Sequence, residues 1–129
     1  DISLGALRKA KEKAKQLDNV ALIRADADFA PFPDHTFDFV FAITLLQNMP
    51  DPGRTVREMG RVGRPGAPIA LTALKKRFSW EGFLEILWEG GLEPDMVGYD
   101  EGLKDYIVVC RNSAKENLKR GESITLVGM

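Results

Sequence analysis

Residues 24–52, RADADFAPFPDHTFDFVFAITLLQNMPDP, decide how the rest of the chain is read. The run entering this stretch, Val20 to Ala25 (VALIRA), is apolar and is ended by Asp26 and Asp28, which predicts a strand with an acidic carboxyl end. Pro31, Pro33 and Asp34 forbid regular structure and favour turns. Phe37 to Ile43 (FDFVFAI) is rich in aromatic and β-branched residues and predicts a second strand, buried on both faces. Thr44 to Asn48 leaves that strand, and Asp51-Pro52 reads as a helix N-cap followed by a proline in the first turn. Two buried strands with acidic and amide residues at their ends predict a ligand crevice, because open α/β sheets bind ligands at the carboxyl ends of their strands.

Upstream, Ser3 caps an expected helix from Leu4 to about Leu17. Leu4, Leu7, Ala10, Ala14 and Leu17 form its apolar stripe, and lysines and arginine fill the other faces. Downstream, Gly53 to Val62 reads as a helix with Val56 and Met59 inward and Arg54, Arg57, Glu58 and Arg61 outward. A Gly63-Arg64-Pro65-Gly66 turn leads to a third buried strand, Ala67 to Leu74. The basic run Lys75-Lys76-Arg77 follows, a solvated loop that tilts slightly towards an anionic substrate. Ser79 caps a helix whose stripe of Trp80, Phe83, Leu84, Leu87 and Trp88 reads as core, and Gly90-Gly91 ends it. Asp95 to Tyr99 and Asp105 to Arg111 form an expected antiparallel hairpin around Gly102. Residues 112–121 read as polar and helical, and 122–129 as a short strand or tail. Helices alternating with buried strands predict an α/β fold, a doubly wound and mostly parallel sheet.

With 129 residues, 44% of them hydrophobic, the chain can bury a real core. Its net charge of −1 carries no global footprint for nucleic acid, although a local basic patch leaves that partner open. The lone cysteine, Cys110, lies in an apolar run and reads as a buried small hydrophobe, with no disulfide and no metal cluster. No apolar run approaches the ~18 residues of a membrane span and no signal peptide opens the chain, so a cytoplasmic location is expected.

Taken in order, an acid, Ala27, Pro31-Phe32-Pro33-Asp34, Phe37-Asp38-x-Val40 and Leu46 before Gln47-Asn48 resemble the class I (Rossmann-like) S-adenosylmethionine-dependent methyltransferases, small single-domain branch. Arg61 to Gly66 (RVGRPG) also fits that family's turn before its fifth strand. The resemblance covers residues 1–112, read as a methyltransferase domain, with 113–129 as a tail. It implies a seven-stranded sheet in the order 3-2-1-4-5-7-6, of which strands 3 to 7 are assignable here. It also implies a Gly-x-Gly-x-Gly loop after strand 1, and this sequence has none. The expectation is a carboxyl-terminal portion, with roughly 40 to 60 residues of a strand-helix-strand unit lying upstream. Strand 4 would then carry an open edge, through which a homodimer could form.

The resemblance further implies S-adenosylmethionine as cofactor, with Asp1 on the ribose hydroxyls, Ile2 packed on the adenine, Asp26 on the adenine amino group and the Ala27 N–H on a ring nitrogen. Asp28 is the alternative to Asp26 in register. Ala42, Ile43 and Thr44 would line the methionine part through their backbone. Gln47 and Asn48 stand where many relatives carry His, and they are candidates for holding a methyl-acceptor substrate. Neither titrates near neutral pH, so neither is a general base, and no catalytic residue is assigned. The implied reaction is methyl transfer by in-line displacement, without a metal. His35 reads as a solvated turn residue, and Asp38 as a structural acceptor of backbone N–H groups. A non-catalytic methyltransferase-like interaction module is the alternative, favoured by the missing glycines. A dinucleotide-dependent oxidoreductase fragment is disfavoured by the Pro-Phe-Pro-Asp and Phe-Asp-x-Val pattern.

Overall fold

The computed structural model describes residues 1–98 and 100–112. Three α-helices, α1 (Leu4–Ala14), α2 (Pro52–Val62) and α3 (Trp80–Glu89), accompany four strands, β1 (Val40–Ala42), β2 (Pro68–Leu74), β3 (Leu92–Gly98) and β4 (Asp105–Asn112). The expected elements at 113–129, and Tyr99, lie outside the described residues.

The strands form one mixed sheet in the order β1-β2-β4-β3. β1 and β2 are parallel, joined through α2, with Val40 opposite Ile69 and Ala42 opposite Leu71. β4 runs antiparallel to both β2 and β3, with Leu71 opposite Val108 and an irregularity between Pro94 and Met96. The last strand therefore lies between its two predecessors, as the resemblance implies for the end of the fold. Val40, Ala42, Ile69, Leu71, Val108 and Cys110 share one face, and they are buried together with Val56, Met59 and Val62 of α2 and Phe83 and Leu87 of α3. On the opposite face Phe39 and Phe41 stack with centroids 6.1 Å apart, while Met96 and Ile107 stand exposed.

The helix ends follow the capping chemistry in the sequence. Ser3 Oγ accepts from Ala6 N–H at 3.1 Å, Asp51 Oδ1 from Arg54 N–H at 3.2 Å ahead of Pro52, and Ser79 Oγ from Gly82 N–H at 3.0 Å. Gly91, just past α3, takes φ 80°, a left-handed position that glycine occupies without strain.

Several expectations are corrected. Val20–Ala25 is not a strand: it makes a single rung with the start of the chain, Ala25 N–H to Asp1 O at 3.0 Å and Asp1 N–H to Ile23 O at 3.3 Å. One rung leaves most of its backbone groups to solvent, and Val20, Leu22 and Ile23 are exposed. The strand expected at Phe37–Ile43 contracts to Val40–Ala42, with Phe41 only half-buried. α1 stops at Ala14 rather than Leu17 and buries none of its residues, although Leu7, Ala10 and Ala14 are its less exposed positions. Trp88 leaves the aromatic stripe and is 58% exposed. Asp38, read as an acceptor of backbone N–H groups, forms an ion pair with the Arg64 guanidinium. His35 is exposed in a turn with φ 57°, as read from the sequence.

Arg61 is the largest departure from the expected outward face of α2. Its Nη1 donates to Phe32 O at 2.9 Å and Asp34 Oδ1 at 2.8 Å, and its Nη2 donates to Ala30 O at 3.0 Å. Glu58, one turn earlier, completes the set. These carboxylates, Glu58 first and Asp34 next, raise the guanidinium pKa above its already high ordinary value. A planar five-donor group suits this task, because it can hold several carbonyls of one loop at once.

Candidate functional site

The proline-rich loop that Arg61 clamps begins with a one-turn 3-10 helix, Ala27–Phe29. Asp26 caps it: its Oδ1 accepts from Asp28 N–H at 2.9 Å, leaving the second carboxylate oxygen without a protein partner among the described residues. Asp28, only 6% exposed, is bound by Thr55 Oγ1 of α2 at 2.5 Å. A buried carboxylate is costly unless a donor meets it, so this bond pins the turn to the helix. Asp26 and Ala27 are thus presented from a turn held at two points, by Thr55 below and Arg61 beyond. Asp28, its alternative in register, points inward to Thr55, while Asp26 is exposed.

The same region gathers the first residues of the chain. The Asp1 backbone is joined to Ala25 and Ile23, and Ile2 O accepts from Arg24 Nε at 2.9 Å. Asp1 and Asp26 therefore lie on neighbouring segments. Asp1 Oδ1 accepts from Ser3 N–H at 2.7 Å, so one of its acceptor atoms already serves the start of α1. Ile2 is 62% exposed, an apolar side chain open to a flat ligand.

The second group of residues stands at the carboxyl end of β1. Ala42 is fully buried, and Ile43 and Thr44 are exposed. Thr44 takes φ 55°, a conformation that a β-branched residue rarely adopts. Two side chains hold it: Thr72 Oγ1 of β2 accepts from Thr44 N–H at 2.8 Å, and Asn48 Nδ2 donates to Thr44 O at 3.2 Å. Gln47 and Asn48 sit in a second 3-10 turn, Leu46–Asn48, anchored by buried Leu46. Gln47 Oε1 is buried and has no hydrogen-bond donor among the described residues.

These features fit a nucleoside ligand with an amino-acid arm. The first group offers acceptors, an N–H at the start of a turn and an exposed apolar side chain; the second offers backbone at a strand end and an unsatisfied amide oxygen. Sequence reasoning missed Asp28, Thr55, Arg61 and Thr72 as the residues that fix this geometry. Thr72 had a signal, a single hydroxyl inside the otherwise apolar strand Pro68–Leu74, where a buried polar group needs a partner. Thr55 had the same signal on the inward face of α2. Lys75 is occupied structurally, its Nζ donating to Asp100 O at 3.1 Å and lying 5.8 Å from the Tyr106 ring centroid, whereas Lys76 and Arg77 are exposed.

Comparison with known proteins bears on the family and the fold. The family described as "Methyltransferase domain" matches residues 1–71. Demethylmenaquinone methyltransferase of Listeria welshimeri is 43% identical over 72 residues, covering 54% of this chain and 30% of that protein. The enzyme of the same name from Staphylococcus haemolyticus is 41% identical over 69 residues, covering 54% of this chain and 29% of that one. The chain thus spans about 30% of the length of these curated relatives. Among solved structures, a SAM-dependent methyltransferase from Aquifex aeolicus superposes with a TM-score of 0.76 at 22% identity, over 87% of this chain and 66% of that one. The [4+2]-cyclase SpnF superposes with a TM-score of 0.69 at 27% identity, over 75% and 42%. The mixed α/β sheet is that of the methyltransferase fold, and with the family match running from Asp1 to the middle of β2, this chain belongs to the methyltransferase-domain family.

Proposed function

We propose that this chain forms part of an S-adenosylmethionine-dependent methyltransferase and supplies its adenine-side and methionine-side contacts. The observation that carries the reading is the Asp26–Ala27 turn, exposed at its tip and pinned to α2 through the buried Asp28–Thr55 bond. A pinned turn presents its acceptor and N–H with little conformational entropy left to lose on binding. Asp26 would accept from the adenine amino group and the Ala27 N–H would donate to the ring. Asp1 would accept from the ribose hydroxyls, with Ile2 against the base. Ala42, Ile43 and Thr44 would line the methionine arm.

When bound, S-adenosylmethionine supplies a methyl group already activated by a positive sulfonium. The chain's own contribution is then positioning and exclusion of water rather than acid-base chemistry. Gln47 and Asn48 hold the methyl acceptor by hydrogen bonds and cannot take its proton. The names of the curated relatives make demethylmenaquinone the first acceptor to assay. A cytoplasmic location and self-association through the free edge of β1 belong to the same reading. So does a methyl acceptor of another class, nucleic acid included, should the quinone fail.

Calorimetric titration of this chain with S-adenosylhomocysteine tests the reading. One-to-one binding that Asp26→Ala weakens about tenfold or more is the expected result, the loss of a hydrogen bond to a charged acceptor. Absence of binding by the parent chain, or indifference to Asp26→Ala, would overturn it.

A further inference from the structure

Thr44 could adopt ordinary extended backbone and prolong β1, yet it turns left-handed at φ 55°. A position that needed only this backbone shape would be met by glycine at no steric cost. For threonine the conformation is strained and persists only where the surroundings over-determine it. The surroundings here are two bonds from two different elements, Thr72 Oγ1 on the N–H at 2.8 Å and Asn48 Nδ2 on the carbonyl at 3.2 Å. Thr72 is 6% exposed, in a strand whose other members are apolar apart from the backbone. Its hydroxyl is therefore placed by the most deeply buried strand of the sheet, paired on both edges, and reaches across to the end of its short neighbour.

We propose that Thr72 is a positioning residue for the cofactor: its buried hydroxyl holds the Thr44 turn, and the turn sets the backbone at the carboxyl end of β1 against the methionine arm. The inference rests on the methyltransferase reading above and extends it to a residue in β2 outside the contacts proposed there. Without the Thr72 oxygen, the Thr44 N–H loses its buried acceptor and the strained turn relaxes towards extended backbone. Glycine at 44 takes the turn without strain and makes the Thr72 hydroxyl dispensable.

The test is calorimetric titration with S-adenosylhomocysteine of the parent, Thr72→Val, Thr72→Ser, Thr44→Gly and the Thr44→Gly/Thr72→Val pair, with thermal melts of each. Thr72→Val preserves shape and removes the acceptor, and it should bind roughly tenfold more weakly. Thr72→Ser should bind like the parent. Thr44→Gly should melt at or above the parental temperature, and, whatever its own affinity, adding Thr72→Val to it should weaken binding far less than Thr72→Val weakens the parent. A structural defect caused by valine in β2 would not be rescued from residue 44. Unchanged binding by Thr72→Val, or a double variant weaker than Thr44→Gly by the same factor as Thr72→Val is weaker than the parent, would overturn the inference and leave the methyltransferase reading standing. Should Thr72→Val not fold, a Thr44→Gly variant that melts below the parent, and so relieves no strain at the turn, would overturn it instead. No binding by the parent would remove both together.

Discussion

Gly90→Ala tests whether α2 and α3 approach as closely as the structure places them. Gly90 closes α3 with φ −79° and ψ −1°, a backbone that alanine adopts freely. Judged on backbone alone, the substitution would stabilise by about 0.4–1 kcal/mol through the unfolded chain. The packing points the other way. A Cβ at this position would lie 2.3 Å from Val56 Cγ1 and 2.9 Å from Val56 Cβ, against ~3.5–4.0 Å for an ordinary carbon contact. Val56 is fully buried and has no free volume to retreat into. Overpacking of this kind costs ~1–3 kcal/mol, so the net expectation is a loss of about 1–2 kcal/mol. Urea denaturation should show a lower midpoint at an unchanged slope. Val56→Ala alone should cost roughly 2 kcal/mol through the cavity it leaves. Combined with Gly90→Ala it should cost about 1 kcal/mol less than the sum, because the new methyl fills the space that the valine vacated. A Gly90→Ala variant as stable as the parent, or strict additivity in the pair, would show that the helices are further apart than described.

Thr55→Val leaves the Asp28 carboxylate buried without its 2.5 Å donor and should cost ~1–3 kcal/mol in a denaturation midpoint, whereas Asp28→Ala/Thr55→Val should cost less than the sum of the two single changes. Arg61→Lys keeps the charge but cannot reach Ala30 O, Phe32 O and Asp34 at once; limited proteolysis should cut the 29–36 loop faster in this variant than in the parent, and equal rates would refute the clamp. Cys110 is fully buried, and burial first, the Asp95 carboxylate second, pushes its thiol up to about 12. The folded state therefore holds the proton after the unfolded chain has released it. The stability this contributes is complete below the ordinary value of 9.0 and falls by about 1.4 kcal/mol per unit as pH rises from there towards about 12. The difference in stability between the parent and Cys110→Ala should show that slope, and the native thiol should stay unreactive towards an aromatic disulfide at pH 8.

What was legible in the sequence was what neighbours in the chain decide. Ser3, Asp51 and Ser79 announced three helix starts because a cap bonds to N–H groups two or three residues away. Pro68–Leu74 announced a central strand because seven nearly apolar residues can only be buried on both faces. Val20–Ala25 carried the same kind of signal and failed, since an apolar run becomes a strand only when a partner completes its ladder. The site divides likewise. Asp26 and Thr44 were marked as candidates by the family resemblance, but the Asp28–Thr55 and Thr44–Thr72 bonds join residues 27 and 28 positions apart, and no local window contains both ends. Arg61 was misread as solvated because its spacing on α2 is that of an outer face. Its long side chain reaches a loop 27 to 31 residues earlier, a placement that only the assembled fold provides.

The order of the sheet, β1-β2-β4-β3, bears on how the chain is made. The strand in contact with both β2 and β3 is the last of the four to leave the ribosome. A nascent chain that has emerged only to Gly98 holds β1 against β2 but has nothing on the other edge of β2, and β3 has no partner at all. Ile69, Leu71 and Ala73 then wait without Cys110, Val108 and Tyr106 opposite them. Neither seam of β4 can close until residues 105–112 have been made. A premature stop between β3 and β4 would thus do more than shorten the sheet by one strand, because it would leave two unpaired edges on the most apolar part of the molecule, where other incomplete chains can add themselves.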